Sequence, residues 1–123
     1  MGKAKVGDRV MAIVGAEEGT ETVKIFGSGV RIEDEVPVKG VYMMGIDMNE
    51  IGHPNPTILL DTGKKVYGCE CWWGSEEVAK KRLEGWETVV VDPDDYRAEA
   101  KAQAEKLDAQ DRAEVAGEIA QEG

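Results

Sequence analysis

One short segment, Cys-Glu-Cys-Trp-Trp-Gly at residues 69–74, concentrates the reactive and aromatic side chains of the chain. Its two cysteines, Cys69 and Cys71, could give two thiolates to a metal ion, with His53 as a third ligand. Zinc sites usually have two separated ligand pairs, whereas this sequence has one Cys-x-Cys pair and one histidine. Two small buried hydrophobic residues are the simpler interpretation of the thiols, so no metal or other cofactor is predicted.

Asp61 is the candidate catalytic residue. The segment Leu-Leu-Asp-Thr-Gly at residues 59–63 resembles the signature of retropepsin-type aspartic proteases, in which two aspartates of a dimer share a proton. Lys64 follows where a small residue is usual, and no flap segment stands out. A hairpin turn at Gly63 explains the same residues without catalysis. A non-enzymatic protein is therefore predicted, and a protease or a metal-dependent hydrolase is the alternative.

Trp72 and Trp73 are the candidate binding residues. Neighbours on an extended strand point to opposite faces, so one ring is expected in the core and the other at the surface. A surface ring beside Gly74 and Ser75 would lie next to a helix N-terminus, where it could stack a base or anchor a protein. Alternatively, both rings seal the sheet against that helix. The alternation predicts two faces, namely Tyr67, Cys69, Cys71 and Trp73 on one and Val66, Glu70 and Trp72 on the other.

A nucleotide ligand would also need cations and a loop that contacts phosphate. Gly27-Ser28-Gly29 is a weak candidate, because it lacks a third glycine and a following helix. The main predicted loop, residues 45–56, is rich in Gly and Pro and carries the further binding candidates His53 and Asn55. The cations that could face an anion are Lys24, Arg31, Lys64 and Lys65.

Composition limits the class of protein. The 123 residues, 41% of them hydrophobic, suit one domain with its own core. No apolar run is long enough to cross a membrane and the first residues lack a signal-peptide pattern, so a cytoplasmic protein with reduced thiols is expected. The net charge of -10 disfavours binding to a nucleic-acid backbone and favours a basic protein surface as partner.

Short β-strands are the elements expected to position these residues. Apolar alternation and turn residues predict strands at 6–14, 22–26, 36–44, 57–60, 65–73 and 86–91, with Gly27-Ser28-Gly29 closing the second strand. Ser75 is the expected cap of a helix at 75–84, and Asp92-Pro93 begins a final helix. The fold class is therefore mainly β, a small SH3-like antiparallel barrel of about five to six short strands with one short helix and a C-terminal helical tail.

Two regions follow from this pattern. Residues 1–92 are predicted to form the barrel-like domain, and residues 93–123 an acidic, Ala-rich helix. Residues 92–123 have ten acidic and four basic side chains and few large apolar ones, so the tail either projects or packs on a partner chain, and a homo-oligomer is expected.

The chain also resembles two groups of proteins. Gly7-Asp8-Arg9-Val10 and the Gly-rich return at residues 23–30 resemble the opening of SH3-like or KOW-like barrels. Together with residues 29–37, 55–63 and the Cys-Glu-Cys-Trp-Trp-Gly motif, they resemble small proteins encoded by phages and prophages. This resemblance implies a setting, a virus inside a bacterium, where small acidic proteins often inhibit host defence or host machinery. The tryptophan pair, the negative charge and the lack of a convincing catalytic set favour an accessory protein that inhibits or sequesters a host component, such as one of host defence, in the host cytoplasm. The alternative is a sponge that binds a signalling nucleotide without cleaving it.

Overall fold

In the computed structural model, residues 5–17 and 19–122 are described, and residues 108–122 only as helical backbone. The chain is mainly β, as predicted, with three helices. Its elements in order are β1 (Arg9–Ala16), β2 (Thr22–Glu35), β3 (Tyr42–Met43), β4 (Ile46–Asp47), α1 (Met48–Ile51), β5 (Asn55–Leu60), β6 (Lys65–Tyr67), β7 (Trp72–Ser75), α2 (Glu76–Arg82), β8 (Glu87–Val90) and α3 (Pro93–Glu122).

The long strand β2 organises the main sheet, whose order is β6-β5-β2-β1-β7 with β8 added beside β2. The prediction that Gly27-Ser28-Gly29 ends this strand is wrong, because β2 continues through it to Glu35. One edge of β2 pairs with β8 at residues 22–25 and with β5 at residues 29–35. Gly27, with φ of 127°, lies where the partner changes, and its missing side chain allows this bend.

A helical crossover joins β7 to β8. Strand β7 is antiparallel to β1, and β1 is antiparallel to β2, whereas β8 is parallel to β2. Strands β7 and β8 therefore run in the same direction, and α2 links them across the sheet, as parallel strands require. The expected antiparallel arrangement is therefore wrong for the β2–β8 pair. Strand β8 is parallel to β2 because a helix, rather than a tight turn, leads into it.

The sheet is rolled but is not a closed barrel. Strands β6 and β7 lie at opposite ends of the strand order, yet residues 68–71 alone connect them. A flat sheet would separate them by four strand spacings, about 19 Å, while the chain from Tyr67 to Trp72 spans at most about 17 Å when extended. Because this connection is also a turn, the two ends of the sheet must curl toward each other.

Each face of the rolled sheet carries its own core. Helix α2 covers one face through Ala79, which packs with Met11, Val23 and Ile25. The start of α3 covers the other face, where the Tyr96 ring meets the Phe26 ring edge-on, with centroids 5.3 Å apart. The buried residues of this second face are Val10, Ala12, Phe26, Ile58, Leu60 and Val66. The alternation of β1 predicts this division, since its neighbours Val10 and Met11 serve opposite cores.

Residues 36–56 differ most from the prediction. The strand expected at 36–44 is reduced to β3, which pairs only with β4 in a separate small hairpin among the described strands. Pro37 is buried outside any strand, where its missing N–H has no ladder to interrupt. The segment expected to be a loop contains β4 and α1, and the Asp47 side chain caps α1 by accepting from the Asn49 N–H.

The final helix α3 begins at Pro93, and the Asp92 carboxylate accepts from the Asp94 N–H at 2.8 Å. The short helix runs from Glu76 to Arg82 rather than over 75–84, and the Ser75 side chain makes no capping bond. None of the helices that the structure describes has the combined length and hydropathy to span a membrane.

Candidate functional site

The Cys-Glu-Cys segment is a turn, so its predicted strand alternation is wrong. Strand β6 ends at Tyr67, and the Glu70 N–H donates to the Tyr67 carbonyl at 2.8 Å. The turn sends Glu70 inward, where it is only 5% exposed, although the alternation put it on the same face as Trp72. Residues 68–71 must connect β6 to β7 after the sheet has curled, and this leaves no room for an extended strand. The curling depends on strands that are far apart in sequence, so local alternation does not predict it.

Glu70 is bound by Arg97 of α3, a partner that the sequence did not indicate. The guanidinium donates to both Glu70 carboxylate oxygens at 2.9 Å and to the Lys65 carbonyl at 2.8 Å. Burial lowers the pKa of Arg97, but its bonds to Glu70 outweigh burial and the net pKa is raised. Glu70 and Arg97 therefore join the final helix to the turn before β7.

The two thiols lie beside this ion pair. Burial, followed by the charge of Glu70, raises the pKa of Cys71 to about 12, and the same two causes raise that of Cys69. Both thiols are therefore protonated at neutral pH, which makes them poor nucleophiles. The Cys71 Sγ lies 3.5 Å from the Tyr67 carbonyl oxygen and packs on the core, as expected for a small hydrophobic residue.

The structure does not assemble the alternative metal site. Among the side chains of residues 5–17 and 19–107, no three of His, Cys, Asp or Glu come together in a way that could hold a metal ion. His53 is exposed just before β5, and its carbonyl accepts from the Asn55 side chain at 3.0 Å. The residues Cys69 and Cys71 thus lack the third ligand that His53 was expected to supply.

An apolar groove lies between β7 and α2, and we call it the Trp72 groove. It measures about 340 Å³. The Trp72 ring, 70% exposed, stands beside it, and Ile13 is its cross-strand neighbour on β1. The lining residues are Ile13, Trp72, Trp73, Gly74, Ser75, Val78, Ala79, Arg82 and Leu83. Four predicted binding residues, 72–75, therefore lie in one groove, whereas His53 and Asn55 do not line it.

Trp73 has a different environment from Trp72. It is half-buried, packs against the core of Phe26 and lies under the Arg31 guanidinium, whose carbon is 5.5 Å from the ring centroid. Arg31 is itself buried, and it donates to the Ile32 carbonyl and to the Asp34 carboxylate. Trp73 thus packs against the core, whereas Trp72 is exposed at the surface. Arg31 is buried against the Trp73 ring.

The four cations proposed to meet an anion are all bound to acidic side chains. Arg31 pairs with Asp34, and Lys24 lies 3.8 Å from Glu17. Lys64 contacts Asp92 and Asp94, and Lys65 contacts Glu35 at 3.0 Å. The hydrogen bonds to Asp92 and Asp94 raise the pKa of Lys64. None of these four cations lines the Trp72 groove, and each has an acidic neighbour, so they do not form an anion site around it.

Arg82 is the cation that lines the groove, and the sequence did not single it out. Acidic residues occupy the other end of α2, where Glu76 and Glu77 form the first turn. Glu76 accepts from Arg9 at 3.0 Å. These two carboxylates bring negative charge to the N-terminus of α2, which disfavours a phosphate at that end of the helix.

Asp61 lies in the turn between β5 and β6, where Gly63 has the positive φ of 93° that the turn requires. Both carboxylate oxygens accept from Arg9, at 2.7 and 2.8 Å. These hydrogen bonds lower the pKa of Asp61 below its ordinary value. A carboxylate held ionised by an arginine is poorly suited to share a proton with a second aspartate.

The groove and the rolled sheet define a mainly β domain with an apolar surface cleft. Comparison of the chain with known proteins finds no matching family model, no matching curated protein and no matching solved structure. The function must therefore be argued from the groove itself.

Proposed function

We propose that this protein is a non-enzymatic binding module that inhibits or sequesters a host protein, such as a component of host defence. The setting we propose is that of a phage-encoded accessory protein in the host cytoplasm. The observation that carries the binding role is the Trp72 ring, 70% exposed beside the Trp72 groove.

An exposed tryptophan ring leaves apolar surface in water, which is unfavourable in free energy, and burying that surface against a partner would favour binding. A Trp side chain can bury about 200 Å². Trp72 is 70% exposed, so covering about 140 Å² at about 25 cal/mol per Å² would contribute about 3.5 kcal/mol. Exposed aromatic rings beside apolar clefts are typical centres of protein interfaces.

The charge of the chain selects the kind of partner. With a net charge of -10, the protein repels acidic surfaces and attracts basic ones. The groove itself is apolar except for Arg82 and Ser75. The partner we propose is a host protein with a basic surface that inserts an apolar side chain into the groove.

The rolled sheet supports a relationship to SH3-like barrels, which is the finer fold that we propose. The β1–β2 hairpin and the short connection from β6 to β7 bring the ends of the sheet together, as a small barrel would require. SH3 domains bind extended peptides in grooves lined by aromatic residues, and Trp72 would have the corresponding role here.

The test compares Trp72→Ala with Val38→Ala, which also shortens an exposed apolar residue but lies outside the groove. Each protein is used to capture partners from bacterial lysate, and the purified partner is titrated by calorimetry. We expect Trp72→Ala to weaken binding about 100-fold and Val38→Ala to bind like the wild type. Equal binding by both variants would exclude the groove as the contact. Light scattering after size exclusion measures the proposed homo-oligomer in the same samples.

A nucleotide sponge is the second candidate, because Trp72 and Arg82 line the same groove and could hold a base and a phosphate. A thermal-shift screen against cyclic nucleotides separates the two proposals. A ligand that stabilises the wild type but not Arg82→Ala would favour the sponge. The paired cations Lys24, Arg31, Lys64 and Lys65 make the protein partner the better supported of the two.

A further inference from the structure

Among the strands that the structure describes, β8 is paired along one edge only. It pairs with β2 in parallel, and the N–H groups of Glu87 and Val91 donate to β2 or to the residue just before it. Backbone groups alternate sides along a strand, so Thr88 and Val90 point their N–H and C=O groups away from β2. Among the described strands, none pairs with this outer edge.

The side chains do not protect this edge. All four residues of β8 are exposed, Val89 by 40% and Val90 by 68%. Natural sheets usually block a free edge with lysine, proline or a bulge, and β8 has none of these. Two exposed valines on an open edge are instead the features of a strand that accepts another strand.

The charges around β8 indicate which strand it would accept. Glu21, Glu84 and Glu87 are exposed at the end where β8 begins, and the Glu21 carbonyl accepts from the Glu87 N–H at 2.7 Å. Lys24 lies across from Val89, but it is held by Glu17 at 3.8 Å. A second copy of this acidic edge would bring like charges together, whereas a basic strand would be attracted.

We propose that the outer edge of β8 binds an extended segment of a partner protein in which basic residues alternate with β-branched apolar ones. The main-chain groups of Thr88 and Val90 supply the hydrogen bonds, the valines supply apolar contact, and the glutamates select the basic residues. This site is separate from the Trp72 groove, whose lining includes no residue of β8.

Amide hydrogen exchange in the full-length protein tests the proposal directly. The ligand is an acetylated, amidated hexapeptide, Lys-Val-Lys-Val-Lys-Val, and the control is the same peptide with glutamate in place of lysine. At nine-tenths saturation we expect the Thr88 and Val90 amides to exchange about tenfold more slowly, while the Val89 amide, which faces β2, changes little. The glutamate peptide should protect neither amide.

Two variants complete the test. Glu87→Lys should weaken binding of the lysine peptide about fivefold and leave the fold intact, because Glu87 is exposed. Val90→Pro should abolish protection at Thr88, because proline removes an outward N–H. If Val90→Pro fails to fold, the Glu87→Lys result still decides. Unchanged exchange at saturating lysine peptide would overturn the proposal, as would equal binding of both peptides or protection that rises with protein concentration alone, which would indicate self-pairing.

Discussion

Asp61 illustrates how the surroundings of a residue determine its chemistry. The Leu-Leu-Asp-Thr-Gly segment matches a protease signature in type and order, yet the aspartate is ion-paired with Arg9, and Arg9 also contacts Glu76. Asp61 thereby joins the β5–β6 turn to β1 and to the start of α2. Its interactions indicate a structural role, and they make a prediction about pH.

Replacing Asp61 by Asn should lower stability at neutral pH and have little effect in acid. The folded-state pKa of Asp61 lies below its ordinary value of 3.8. The ionised side chain therefore stabilises the fold above that ordinary value, and this contribution is lost as the pH falls through the lowered pKa. Urea unfolding at pH 7 and pH 2.5 measures the difference, with the exposed Glu33→Gln variant as control. A difference between wild type and Asp61→Asn that does not shrink as the pH falls below 3.8 would contradict this account.

At the scale of single residues, the sequence predicted the separation of the two tryptophan rings but not the environment of Glu70. Trp72 was identified as one of two candidates, and the exposed ring is the one outside the core. The alternation rule that separated the two rings holds for Trp72 and Trp73, which lie on β7. The rule fails for Glu70, because residues 68–71 form a turn between β6 and β7 rather than a strand. The spacing of residues in the sequence does not reveal this turn. The sequence also did not indicate the ion pair of Arg97 with Glu70, because the two residues are 27 positions apart.

The elements depend on a few contacts between distant segments. The ion pair of Glu70 with Arg97 is one such contact, and it joins the turn before β7 to α3. The side chain of Glu70 is 1% exposed and that of Arg97 is 15% exposed, so this pair is shielded from solvent. Surface pairs such as Lys81 with Glu77, at 3.9 Å, contribute much less.

Replacing Arg97 by Ala should destabilise the protein by about 3 kcal/mol, because it leaves a buried carboxylate without a partner. The double variant Glu70→Gln with Arg97→Gln should recover part of that loss, since no charge is then buried. Chemical denaturation measures both, and Arg82→Ala at an exposed position should change stability by less than about 0.5 kcal/mol. Equal losses for Arg97→Ala and Arg82→Ala would show that the buried pair has no special role.

Two glycines of the first hairpin offer a matched comparison. A Cβ on Gly29 would lie 2.2 Å from the Leu59 carbonyl oxygen, so β5 can approach β2 only because this side chain is absent. A Cβ on Gly15 would meet nothing within 4 Å. We expect Gly29→Ala to cost about 3 kcal/mol or more and to separate β5 from β2, and Gly15→Ala to be tolerated. Thermal unfolding distinguishes them, and similar melting temperatures would contradict the close approach.

The sequence predicted elements well where the signal was local. Helix α3 begins at the predicted Asp92-Pro93, and the boundaries of α2 and β8 lie within a few residues of the predicted ones. It failed for β2, because a strand that passes through Gly27-Ser28-Gly29 depends on β5 and β8 lying beside it. It also missed α1 and β4, where the density of Gly and Pro suggested a loop.

At the scale of the molecule, α2 connects two proposed contact surfaces. It lines the Trp72 groove along its length and leads to β8, whose outer edge pairs with no strand that the structure describes. A protein that occupied both surfaces would contact the groove beside α2 and the strand that follows this helix. Such a partner would combine an apolar anchor with a basic extended segment, a pairing that increases affinity through effective concentration.

The fold should also depend on the first part of α3 and not on its distal part. Within the described side chains, α3 is anchored by Tyr96 against Phe26 and by Arg97 on Glu70. Deleting residues 93–123 removes both anchors, and the expected loss of about 5 kcal/mol is comparable to the whole stability of a small domain. Deleting only residues 108–123 keeps both anchors, so this protein should melt close to the full-length chain. Circular dichroism and thermal unfolding of the two truncations check this, and a cooperative wild-type-like transition without residues 93–123 would show that the sheet needs no helix to cover its second core.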